Sequence, residues 1–97
     1  MATFVSLVNW TEQGITGFKD TPKRVEGVKQ TLAKFGATVK DMYWTIGPYD
    51  VVAVIEAPDD ESATAALLEI GAMGNVRTTT LRAFGREEFE AIIKKTG

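Results

Sequence analysis

The chain has no histidine and no cysteine. Without histidine, the commonest ligand for zinc and haem and the usual general base at neutral pH are missing, and with them Ser-His and Cys-His catalysis. Without cysteine there can be no disulfide. Basic charge is scarce as well: 11 Lys and Arg stand against 13 Asp and Glu, for a net charge of -2. The cations are scattered, so the concentrated basic face that phosphate backbones require is absent and no nucleic-acid partner is expected. No apolar run is long enough to cross a bilayer, and the chain does not open on a signal peptide, so the expectation is no membrane association and a cytoplasmic location. Any chemistry falls to carboxylates, Tyr, Lys, Arg and hydroxyls. No metal site and no cofactor are expected.

What is present is an ordinary hydrophobic content of 44% in 97 residues, which points to one domain over residues 1–97. "TFVSLVNW" (3–10) is β-branched and aromatic without a helical period and reads as a strand. Phe4, Val8 and Trp10 share one face, Val5 and Leu7 the other. "TEQGITGFKD" (11–20) reads as a loop or one irregular turn, pinned to the body by Ile15 and Phe18. A helix follows, opened by Asp20 or Thr21 with Pro22 in its first turn, with Val25, Val28, Leu32 and Phe35 on one stripe, and stopped at Gly36.

"ATVKDMYWTI" (37–46) reads as an edge strand, with Val39 and Tyr43 on one side and Met42, Trp44 and Ile46 on the other. Gly47-Pro48-Tyr49-Asp50 is a turn into "DVVAVIEA", a strand apolar on both faces. Asp59 or Asp60 starts a second helix whose inner stripe holds Ala63, Ala66, Leu67, Ile70 and Met73. A fourth strand, polar enough for an edge, and a short terminal helix with Phe89, Ile92 and Ile93 on one face complete the chain.

The order βαββαβ plus a terminal helix is the α+β ferredoxin-like pattern, with two helices on one face of an antiparallel sheet. In it the first and third strands are central, and these are the two that are apolar on both sides. Two helices cover one face only. Either the terminal helix folds back over the other, or a second copy covers it, which predicts a homodimer or higher homo-oligomer through the sheet face.

Three sets of residues are candidate sites. Tyr49 and Asp50 either stand at a cleft rim, Tyr as donor and Asp50 as a base or ligand, or simply secure the turn. Trp10, Thr11 and Gln13 either line a pocket mouth or hold a core tryptophan against a loop. Asn75, Arg77, Thr79 and Arg82 on the last strand either bind an anion or are solvated edge residues. Arg77 and Thr79 share one face, and Arg82 lies on the opposite one. The acidic run Asp59 to Glu61 is explained as a helix start rather than a metal site.

"LVNWTEQG", "TPKR", "IGPYDVVAVIEAPDD" and "GNVRTTTLRAF", in this order, resemble the GYD-domain family of small bacterial and archaeal proteins. Its Gly-Tyr-Asp motif stands here as Gly47, Tyr49 and Asp50, with Pro48 inserted. The resemblance implies a dimeric α/β-barrel, with sheets paired across two copies. It implies no transferable activity. The expectation is a self-associating, non-catalytic assembly or small-molecule binding module. The alternative is a small cofactor-independent enzyme, monooxygenase- or isomerase-like, acting on a polar organic substrate with Asp50 as candidate base.

Overall fold

A computed structural model describes all residues, 1–97. Four strands, β1 (Ala2–Trp10), β2 (Thr38–Trp44), β3 (Val51–Ala57) and β4 (Val76–Ala83), form one antiparallel sheet in the order β2-β3-β1-β4. The two doubly apolar strands are central, as their composition requires. Helices α2 (Thr21–Lys34) and α3 (Asp60–Ala72) make the βαβ crossovers and lie on one face. The fold is the α+β, ferredoxin-like arrangement.

The core sits between these helices and the sheet. Phe4 of β1, Ile55 and Ala57 of β3, Leu32 of α2 and Ala63, Ala66 and Ile70 of α3 are all buried. Ala66 and Ala57 are fully enclosed, because alanines let α3 approach the strands closely. Asp59 caps α3: its Oδ1 accepts the Ser62 amide at 2.7 Å. Asp20 occupies the cap position of α2, but its side chain makes no capping bond. Gly36 ends that helix region with φ +74°, a conformation that suits glycine.

Three local expectations are corrected. Residues 11–20 are not a loop. They form a short helix, α1 (Glu12–Thr16), capped by Thr11, and a single 3-10 turn at Phe18–Asp20. Ile15 and Phe18 do not pin this segment, since both are about half exposed. The buried residue is Gly14, which approaches the Asn75 carbonyl so closely that a Cβ there would lie 1.9 Å from the oxygen.

The second correction is in β2. The register slips between Val39 and Asp41, a bulge that places Val39 beside Ile55 and Met42 beside Ala53. Val39 and Met42 therefore share the helix-facing side, whereas strict alternation separates them. The third is Ile46. The strand ends at Trp44, and Ile46 stands fully exposed in the β2–β3 turn.

The other sheet face carries two rows that cross all four strands. One is Tyr43, Val52, Leu7, Thr79; the next is Asp41, Val54, Val5, Leu81. Five aliphatic side chains (Val5, Leu7, Val52, Val54 and Leu81) lie together here, with Leu81 half exposed and Tyr43 more so. Polar residues flank them: Asn9 and Arg77 at one end, Glu56 and Thr3 at the other. The terminal helix α4 (Arg86–Lys94) does not fold back over this face. It has no buried residue, and Phe89 and Ile93 are half exposed.

Candidate functional site

At the end of the helix-facing side where β1 and β2 finish and β3 begins, the core opens into a cleft of about 280 Å³. Its floor is built from cross-strand rows. Met42, Ala53 and Ser6 form one, Trp44, Val51 and Val8 the next. Ala53 and Ser6 are small, and they leave the space that larger residues fill at the other end. Ser6 is buried, and its hydroxyl is satisfied by Thr80 Oγ1 at 3.0 Å. The walls are the first half of α2, with Val25, Gly27 and Val28, and the last turns of α3, with Leu67, Ile70 and Met73. Trp10 and Trp44, the chain's only tryptophans, both line it.

Of the residues expected at a pocket mouth, Trp10 alone lines this cleft. Thr11 and Gln13 stand beside it as braces. Thr11 Oγ1 accepts the Gly14 amide at 3.1 Å and donates to the Gly74 carbonyl, and the Thr11 amide donates to Asn75 O at 3.1 Å. Gln13 Nε2 donates to Met73 O at 3.2 Å and to Asn75 Oδ1 at 3.0 Å. Together they lock α1 onto the α3–β4 turn, which Gly74 makes at φ +88°.

Asp50 ties the other side. Its Oδ2 accepts the Trp10 amide at 2.9 Å, its own amide donates to Val8 O at 2.8 Å, and its carbonyl accepts from the Thr45 amide at 2.9 Å. The carboxylate thus stands in for a strand carbonyl where the β1–β3 ladder stops. Tyr49 is half-buried in the turn; its carbonyl accepts from Thr45 Oγ1 at 2.6 Å. Neither Tyr49 nor Asp50 lines the cleft.

The candidates on β4 separate as their spacing predicts. Asn75 reaches the cleft, and Arg77 and Thr79 lie on the open sheet face. Arg82 lies on the helix side and is engaged rather than simply solvated. Its guanidinium stacks on Phe84 and Phe4, 4.5 and 5.6 Å from the ring centroids, and approaches Asp60 and Glu88 at 3.7 and 3.9 Å. Of the acidic run, Asp59 is held below the ordinary carboxylate value of 3.8 by its hydrogen bonds with Ser62.

Sequence reasoning missed Arg24. Its Nη2 donates to Gly14 O at 3.0 Å, Gly17 O at 3.2 Å and Thr21 Oγ1 at 3.0 Å, which fastens α1 to α2 at the cleft wall. The signal was faint: one arginine three residues after a helix-opening threonine, downstream of a glycine-containing segment that needed carbonyl partners.

Comparison with known proteins follows the same outline. The GYD domain model matches residues 4–93. The glutamine synthetase and cystathionine beta-lyase binding protein of Thermus thermophilus is 36% identical over 95 residues, covering 97% of this chain and 100% of the relative. The crystal structure of TTHA0845, also from Thermus thermophilus, superposes with a TM-score of 0.54 at 26% identity, over 88% of this chain and 95% of that one. That of FFRP-DM1 gives a TM-score of 0.60 at 23% identity, over 87% and 100%, a likeness of fold.

Proposed function

The chain belongs to the GYD domain family, and from that premise we propose that it is a self-associating, non-catalytic module that binds metabolic enzymes. The observation that carries the reading is the uncovered sheet face: five clustered aliphatics flanked by polar residues, with nothing from their own chain above them. Large rimmed apolar patches mark interaction surfaces. Two copies laid face to face bring ten such side chains together. Leu81 is half exposed and the other four are already partly covered, so each regains a fraction of the roughly 1.5–3 kcal/mol that full burial of such a side chain is worth. Ten such fractions work together against an association cost of roughly 4–15 kcal/mol. The apolar stripe of α4 adds to the same assembly by resting on the neighbouring copy.

The adaptor part of the proposal comes from the Thermus relative, whose name says that it binds glutamine synthetase and cystathionine beta-lyase. A binding role is also supported by Asp50, whose Oδ2 is spent on a backbone amide rather than aimed into the cleft.

The test is sedimentation velocity of the wild type and Val54→Lys, followed by passage of each over immobilised glutamine synthetase purified from the same organism. The wild type should sediment as a dimer or larger ring and be retained, and the variant should sediment as a monomer. A wild type that is monomeric at every concentration removes the sheet pairing. An assembled wild type that is not retained removes the adaptor role.

A further inference from the structure

The cleft has a charge pattern that the assembly does not use. Of its 22 lining residues, 15 are hydrophobic; two, Lys23 and Arg24, are cationic; none is Asp or Glu. This occurs in a chain that carries a net charge of -2. Neither cation has a carboxylate partner within ion-pair distance: the five ion pairs of the chain engage Lys34, Lys40, Arg82 and Arg86. Arg24 spends only Nη2 on its three acceptors, so Nη1 and Nε remain without a hydrogen-bond partner. No side-chain nitrogen of the chain is buried without a partner, so Nη1 and Nε are open to solvent beside an apolar hollow and free to give charge-assisted bonds to an oxyanion.

We infer that the cleft between α2, α3 and the sheet is a binding site for a small amphiphilic monocarboxylate, its apolar body between Trp10, Trp44 and Leu67 and its carboxylate at Arg24 and Lys23. The size fits. An apolar cavity of roughly 150 Å³ accepts benzene, and this one is nearly twice as large at about 280 Å³, which suits a medium-length acyl chain or a two-ring acid. The lining is apolar with a few convergent polar groups, the usual make-up of a small-molecule pocket. The site lies on the helix side of the sheet, so it is separate from the face proposed for self-association, and the two proposals stand or fall independently.

Decanoate is the probe and 1-decanol its neutral counterpart. Both tryptophans line the cleft, so their emission reports occupancy directly. Below its micellar range, decanoate should give a saturable change at one molecule per chain, and decanol should bind roughly tenfold more weakly for want of the charge-assisted bonds. Arg24→Gln should bring decanoate down to the affinity of decanol. Because Arg24 also braces α1, Gly27→Leu provides a second variant. Gly27 lines the cleft in mid-helix, is exposed, and a Cβ there meets no atom within 4 Å, so a leucine adds bulk at the rim on a fold left intact and should weaken binding. Val54→Lys, on the other sheet face, should bind decanoate as the wild type does. Equal affinity for decanoate and decanol, undiminished binding by Gly27→Leu, or no saturable change at all would overturn the inference.

Discussion

The Oδ2 of Asp50 receives the backbone amide of Trp10 at 2.9 Å, across 40 positions of sequence. One carboxylate therefore joins the last residue of the first strand to the turn that leads into the third. The acid in front of this strand is a fastening, and it also holds Trp10 at the cleft. Asp50→Ala leaves that amide without its acceptor and should cost about 1–2 kcal/mol in urea unfolding. Asp50→Asn keeps an acceptor oxygen and should recover most of the loss. Equal losses in both variants would mean that the negative charge, rather than the hydrogen bond, is what matters.

Two glycines in helices should respond in opposite directions to the same substitution. Gly14→Ala drives a methyl group against the Asn75 carbonyl and should destabilise by about 2 kcal/mol or more as α1 is pushed off the α3–β4 turn. Gly27→Ala meets open space in the middle of α2 and should stabilise by about 0.5–1 kcal/mol through helix propensity alone. Thermal melts of the two variants beside the wild type check both signs.

Asp59 gives the chain a defined acid response. Its folded-state pKa lies below the ordinary 3.8 because the Ser62 hydrogen bonds favour the carboxylate. A depressed carboxylate contributes stability above its unfolded pKa and loses it as the pH falls through the folded one. Asp59→Ala should therefore melt below the wild type at neutral pH, and the gap should close as the pH is lowered from about 4. A gap that stays constant over that range would place the effect elsewhere.

Much of this was legible in the sequence, for identifiable reasons. Strands apolar on both faces had to be central, and alanines on α3 implied the close approach that Ala66 makes. The α1 segment was not legible, because its order comes from distant partners: Gly14 is buried by the Asn75 carbonyl, and Gln13 is held by Met73 and Asn75. The bulge beside Lys40 was equally hidden, since a single extra residue leaves no mark on composition and yet moves Met42 to the face of Val39. The cleft was half visible. Trp10 stands out as a candidate, but the hollow arises from Ser6 and Ala53 standing side by side on neighbouring strands, a coincidence of register.

Arg82 connects the end of β4 to the starts of both α3 and α4 through Asp60 and Glu88, while stacking on Phe84. The ion pairs are partly exposed and worth little singly, so stacking should dominate. Arg82→Met should cost roughly 1 kcal/mol in chemical denaturation and increase amide exchange in the first turn of α4. A loss of stability without faster exchange there would show that the link to α4 carries no weight.

The terminal helix takes almost nothing from its own chain. It is amphipathic, yet none of its residues is buried and Phe89 and Ile93 stand half exposed. An element of this kind is a clock for company. A protease should trim α4 quickly from a solitary chain and slowly from one whose neighbour shelters it, so the survival of the last dozen residues would record how much of its time the protein spends alone.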